Sequence, residues 1–187
     1  QIQGYFDIPV DHLDSHAVFI PYIENLLLEN LTFAAPDVGS ANRIREIANY
    51  FEAEMVICDK HRKRANEIAS MVVIGEVEDR DVVVIDDICD TGGTLVKSAA
   101  LLKEKGARSV RALTTHPVLS GKAYENIENS VLEELVVCNT IPLRQSSSKI
   151  KVISVADLFA VAIRNAFENK SITNLFVHSQ LKEKSAQ

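Results

Sequence analysis

Short runs of aliphatic and β-branched residues alternate along this chain with segments whose apolar positions recur every three or four residues. Residues 31–35, Leu-Thr-Phe-Ala-Ala, have the length of a buried strand and stop at Pro36. Residues 41–51 follow with Ile44, Ile47, Ala48 and Phe51 on one helical face. Further strands are predicted at 54–58, 71–77, 82–85, 110–114, 132–138 and 149–153, with a Glu-Asp-Arg-Asp turn between 77 and 82. Helices are predicted over about 93–105, with Gly106 as the C-terminal cap, and over 155–167. Residues 145–148 read as a polar loop, and 177–187 as a polar, disordered tail after a single domain ending at 176. This alternation predicts an α/β fold, a mainly parallel sheet flanked by helices. Such sheets bind ligands in the crevice at the carboxyl ends of their strands.

Composition narrows the class. Of 187 residues, 47% are hydrophobic, enough for one full core, and the apolar runs fall far short of the roughly 20 residues that span a bilayer. No membrane association is expected. Twenty Lys and Arg against 26 Asp and Glu leave a net charge of −6, which disfavours broad nucleic-acid binding. Three widely spaced cysteines, Cys58, Cys89 and Cys138, suit a reducing compartment rather than a disulfide framework. With no visible signal peptide, a cytoplasmic location is expected. The chain opens on Gln1 rather than Met and reads as a piece of something longer.

The most informative stretch is Val82-Val-Val-Ile-Asp-Asp-Ile-Cys-Asp-Thr-Gly-Gly-Thr94. An apolar strand ends in two adjacent carboxylates, Asp86 and Asp87, and passes through Asp90, Thr91, Gly92, Gly93 and Thr94 into a helix. Paired glycines let consecutive N–H groups face one concavity, and the helix start adds partial positive charge. That assembly suits a phosphate monoester, and the carboxylates suit the vicinal hydroxyls of a sugar, directly or through Mg²⁺. No Gly-Lys-Ser/Thr follows, so it is not a Walker A loop. Against the acidic background, Lys60-His-Arg-Lys-Arg64 is a local cationic cluster. It is either a solvated turn or a set of fixed cations for a transferring diphosphoryl group.

Residues 82–94 resemble the phosphoribosyl-diphosphate signature of the type I phosphoribosyltransferase fold. Gln1-Ile-Gln-Gly-Tyr-Phe-Asp-Ile-Pro-Val-Asp11, Pro36-Asp-Val-Gly39, Asp59-Lys-His-Arg-Lys-Arg-Ala-Asn66, Thr115-His-Pro-Val-Leu-Ser-Gly121 and Asn139-Thr-Ile-Pro142 occur in that order. Together they resemble the ribose-phosphate diphosphokinase family over residues 1–176. The resemblance implies transfer of the diphosphoryl group of ATP to the anomeric hydroxyl of ribose 5-phosphate, with Mg²⁺ as cofactor. It implies that Asp86, Asp87, Asp90, Thr91, Gly92, Gly93 and Thr94 hold ribose 5-phosphate and that Lys60 and Arg62 are the catalytic pair. Asp37, Asp7 and Asp11 match positions linked with divalent metal, although Asp11 also reads as the cap of a following helix. Ser171 and Thr173 match a segment that contacts inhibitory ADP or phosphate.

The family's chain has two similar halves, and this sequence corresponds to the second, with residues 1–30 as linking chain. Much of the ATP site, including a metal-binding His upstream of Gln1, is then expected to lie in the other half, leaving the isolated chain inactive. The family is hexameric, so a homo-oligomer is expected. Two alternatives stay open: a phosphoribosyltransferase that consumes the diphosphate sugar, and a non-catalytic regulatory subunit on the same fold. His12, His16 and His178 read as solvent or packing residues, His116 as architectural. Cys89, with no activating neighbour in sequence, is not expected to act as a nucleophile.

Overall fold

The computed structural model describes residues 2–61 and 70–175, without the side chains of Lys60, His61 and Ser70. In chain order the elements are α1 (His16–Asn25), β1 (Leu31–Ala35), α2 (Ala41–Tyr50), β2 (Glu54–His61), β3 (Ser70–Ile74), β4 (Asp81–Cys89), α3 (Gly93–Glu104), β5 (Ser109–Pro117), α4 (Ala123–Glu128), β6 (Leu135–Cys138), β7 (Ile150–Ile153) and α5 (Ala156–Phe167). The strands form one sheet in the order β3-β2-β1-β4-β5-β6-β7. All neighbours are parallel except β2 and β3, which pair antiparallel at one edge.

Burial on both faces explains why the strands read as continuous apolar runs. On β4, Val82 and Val84 pack under α3 and α4 with Leu95, Ala99, Leu102 and Ile127. Val83 and Ile85 point the other way, against Phe19, Ile20 and Ile23 of α1 and Ile44 and Ile47 of α2. Residues 16–25, within the segment read as linking chain, are therefore part of the core.

Several boundaries differ from the sequence reading; β4 runs on past Ile85 to Cys89 and β5 past Thr114 to Pro117, the two pairing over the added length. β3 stops at Ile74 and not at 77, because Gly75 takes φ +116° and a Cβ there would lie 2.7 Å from Val56 Cγ1. β2 runs on to His61, so Lys60 lies within a strand, its backbone opposite Met71, rather than in a loop beyond it. β6 begins at Leu135 rather than 132.

The order of the sheet places the crevice. From β1 the chain moves outward to β2, then returns to add β4 on the other side, so β1 and β4 lie side by side with their connections leaving in opposite directions. That is the topological switch point of an open α/β sheet. At the opposite end of the strands, Asp81 closes the base of β4. Its carboxylate accepts hydrogen bonds from the Arg108 guanidinium and from Ser109 Oγ, and Arg108 Nη2 also donates to Glu29 O at 2.9 Å.

The Arg108 hydrogen bond outweighs the cost of burial and holds the Asp81 carboxyl below the ordinary 3.8. A depressed carboxyl contributes stability above its unfolded value and loses it as pH falls through the folded one. Asp81→Asn should therefore lower the melting temperature at pH 7, with the gap to wild type closing as pH falls below 3.8. Melts from pH 7 to pH 2.5 test this; a gap independent of pH would show that Asp81 acts by shape and not by charge.

Candidate functional site

Two loops meet at the carboxyl ends of β1 and β4. After β1, Asp37 turns back on its own loop: its Oδ1 accepts from Ser40 N at 2.8 Å, and Ser40 Oγ donates to Asp37 O at 2.9 Å. This turn starts α2. After β4, Gly92 adopts φ +70° in the left-handed region, where any side chain is strained, and α3 begins at Gly93. Gly92 O then accepts from Val96 N at 2.9 Å, so the loop ends directly in a helix N-terminus. Between the loops is a cavity of about 200 Å³. Asp37, Asp86, Thr114 and the loop 88–95 line it.

The sequence reading expected Asp86, Asp90, Thr91, Gly92, Gly93, Thr94 and Asp37 to act together, and all seven line this one cavity. Asp87 alternates to the other side of β4 and faces a neighbouring cavity of about 650 Å³, which shares Asp86 and Ile88 with the first. Asp11 lines that second cavity, together with His12, His16 and His116. Asp11 does not cap a helix; α1 starts at His16, whose backbone N–H donates to Asp14 Oδ1 at 2.9 Å. Asp7 is exposed and lines neither cavity. Arg62 and the side chain of Lys60 lie outside the described residues, as does the tail 177–187. Ser171 and Thr173 lie in an exposed turn after α5, where Ser171 Oγ donates to Thr173 Oγ1 at 2.8 Å, and line neither cavity.

The structure adds two residues to the site. Thr114, opposite Asp86 in the β4–β5 register, lines the cavity, and its buried hydroxyl has no hydrogen-bond partner among the described residues. Arg43, one turn into α2, donates from Nη1 to Asp87 Oδ2 at 3.2 Å. The consequence is an asymmetric pair. Burial pushes the Asp86 carboxyl up to about 6, and the neighbouring Asp87 and Asp37 charges add to it, although Asp87 N donates to Asp86 Oδ1 at 2.9 Å. Burial also acts upward on Asp87, but the Arg43 hydrogen bond and its coupling to Asp86 leave it below the ordinary value. Cys89 is 3% exposed, and burial pushes its thiol up to about 11, which suits packing rather than attack. His116 Nδ1 lies 3.0 Å from Thr140 Oγ1, tying the ends of β5 and β6 together.

The fold and the position of this cavity define the chain's class: a type I phosphoribosyltransferase-like α/β fold. A crystal structure of phosphoribosylpyrophosphate synthetase from Mycobacterium smegmatis superposes with a TM-score of 0.82 at 33% identity, covering 90% of this chain and 56% of that one. Residues 40–177 match the family model described as the phosphoribosyl synthetase-associated domain. The chain belongs to that family and is a homologue of the ribose-phosphate pyrophosphokinases. The ribose-phosphate pyrophosphokinase of Wolinella succinogenes is 52% identical over 177 residues, and that of Campylobacter jejuni 50% identical over 177 residues. Each alignment spans 95% of this chain and 57% of the relative, so the chain spans little more than half the length of these proteins.

The buried carboxyl makes a prediction about stability against function. A carboxyl raised from 3.8 to about 6 favours the folded state while protonated, and that advantage is lost as pH rises through this window. Asp86→Asn keeps the neutral shape, so it should melt higher than wild type at pH 7, with the difference vanishing below pH 4. The same variant loses at pH 7 the negative charge that this cavity would offer a ligand. Equal melting temperatures at pH 7 would mean that the Asp86 charge costs the fold nothing.

Proposed function

We propose that this chain holds ribose 5-phosphate for diphosphoryl transfer from ATP, giving 5-phosphoribosyl 1-diphosphate and AMP. The observation that carries this reading is the single cavity between the Asp37 turn and the 90–94 loop, in a chain about half identical to ribose-phosphate pyrophosphokinases. The 5-phosphate sits on the loop 90–94, where a Gly-containing turn and the start of α3 present N–H groups and hydroxyls to an anion. Asp86 faces the ribose hydroxyls from this cavity, and Asp87 borders the adjoining one, held there by Arg43. The anomeric oxygen, giving up its proton, forms a bond to the β-phosphorus of ATP; the bond to the α-phosphate oxygen breaks, and AMP leaves with the electron pair. Lys60 and Arg62 bracket the transferring phosphates, compensating charge that grows on them in the transition state.

Among the described residues no cluster of three His, Cys, Asp or Glu side chains is placed to hold a metal ion. The oxygen-only set of Asp37 and Asp86 in one cavity fits a hard cation that keeps water and substrate phosphates as its other ligands. Asp37 and Asp86 would hold such a Mg²⁺, which supplies charge neutralisation to the diphosphate. In this reading the protein is a cytoplasmic homo-oligomer; no helix among the described residues is long and apolar enough to cross a membrane.

Two measurements test the proposal. Calorimetric titration should show ribose 5-phosphate binding, weakened by about 1.5–3 kcal/mol in Asp90→Ala or Thr94→Ala. Unchanged affinity in both variants would remove the loop from the site. Phosphorus NMR with ATP, Mg²⁺ and ribose 5-phosphate should show AMP and the 1-diphosphate forming. Lys60→Ala and Arg62→Ala should each lower kcat by at least about 10²-fold while leaving sugar-phosphate affinity near wild type. Lys63→Ala is the control of equal charge. Should it prove as damaging as Lys60→Ala, the run acts only as bulk positive charge.

A further inference from the structure

The loop 90–94 has no hydrophobic side chain with which to anchor itself, yet its N–H groups must hold one orientation if they are to bind an anion. Its anchor is a segment that the functional reading leaves unused, the turn 118–122 and the short helix α4. Leu119 N donates to Cys89 O and Ser120 N to Asp90 O, both at 3.0 Å, so the backbones of the two loops continue the β4–β5 pairing past Cys89 and Pro117. Ser120 Oγ donates to Asp90 Oδ1. From α4, Asn126 Nδ2 reaches Thr91 O at 3.0 Å. Below the loop, a Cβ built on Gly92 would touch Ile127 Cγ1 at 3.6 Å and Ala123 O at 3.7 Å, so α4 lies directly beneath the left-handed turn. Ala123 and Ile127 are fully buried, which ties α4 to the core.

We propose that Ser120 and Asn126 are positioning residues for the phosphate-holding loop: Asn126 holds the Thr91 carbonyl turned away from the cavity and Ser120 sets the orientation of the Asp90 carboxylate. The two bonds act on different atoms. A peptide plane rotates as a unit, so fixing Thr91 O outward toward α4 points the following N–H, that of Gly92, the other way, toward the Cys89 thiol, and the plane that opens the left-handed turn is held at both ends. Ser120 occupies Asp90 Oδ1 and leaves Oδ2 for a ligand. Without these bonds the loop keeps its sequence but loses a fixed orientation, and the ordering cost then falls on the ligand.

This inference rests on the reading of the loop as a phosphate site, and the test separates the two. The protein and its Ser120→Ala, Asn126→Ala, Ser120→Thr and Asn126→Asp variants are titrated calorimetrically with ribose 5-phosphate and, separately, with inorganic phosphate. Glu125→Ala, on the same helix and facing Lys122 at 3.9 Å, is the control. Asn126→Ala should weaken both ligands by the same factor, about five- to tenfold, because the loop N–H groups serve the phosphate common to both. Ser120→Ala should weaken ribose 5-phosphate by a similar factor and inorganic phosphate less, and Ser120→Thr, which keeps the hydroxyl, should recover most of the loss. Asn126→Asp, which lacks the donor, should behave like the alanine variant.

Hydrogen exchange of the Gly92, Gly93 and Thr94 amides, read without ligand, should accelerate in Asn126→Ala and stay at the wild-type rate in Glu125→Ala. Wild-type affinities in Ser120→Ala and Asn126→Ala, with binding to the unaltered protein intact, would overturn the inference while leaving the phosphate site standing. Affinity lost equally in Glu125→Ala would also overturn it, since any lesion in α4 would then suffice. If the unaltered protein bound neither ribose 5-phosphate nor phosphate, the phosphate-site reading itself would fall, and this inference with it.

Discussion

Val82, Val83, Val84 and Ile85 are each at most 2% exposed, and β4 is held by β1 on one side and β5 on the other. A strand buried on both faces and paired on both edges cannot slip by one residue without sending its whole side-chain set into the wrong layer. That register fixes where Asp86 and Asp87 emerge, which loop follows them, and where α3 begins. Two adjacent carboxylates on a strand face opposite sides. Asp86 accordingly meets the cavity of the 90–94 loop, and Asp87 meets Arg43 on the α2 side. The rest of the site is arranged around that division.

The division has an electrostatic consequence. Two charges so close cannot both be cheap, and the fold resolves the conflict by giving the cation to one of them. Arg43 compensates Asp87; Asp86, more deeply buried and near Asp37, is left costly while ionised. A site that binds hydroxyls or a cation gains from such a group, because the ligand relieves a strain that the empty protein carries. The stabilising Arg108–Asp81 pair lies at the opposite end of the same strand. One strand thus carries a carboxylate matched to a guanidinium at its base and, at its tip, one that burial makes costly to ionise.

Pattern and motif made much of this legible. Seven strands and the helices α2, α3 and α5 follow from apolar periodicity, because each is either buried on both faces or visibly amphipathic. α1, the helix expected after Asp11, carries Pro21 inside it, and burial of Phe19, Ile20 and Ile23 holds the helix together. α4 has only six residues, too few to show a period. The site residues that went unseen share another property. Arg43 acts on a residue 44 positions away and Ser120 on one 30 positions away, and no local spacing encodes such contacts. Thr114 closed a predicted strand and drew no notice, since its meaning lies in being opposite Asp86. What local chemistry reveals is the group that touches a ligand; what it hides is the group that aims it.

The edge of the sheet shows the same logic applied to the cationic segment. Antiparallel pairing of β2 with β3 continues through Lys60 opposite Met71 and His61 opposite Ser70, three residues beyond the point where Cys58 closes the buried part of β2. Partners in such a ladder are held about 4.5–5.5 Å apart at Cα. The backbone of Lys60 is therefore tied to the sheet that carries the Asp37 turn and the Asp86 pair. A cation rooted in this way moves with the rigid scaffold at its backbone. One sheet thus fixes both the Asp86 pair and the backbone position of Lys60.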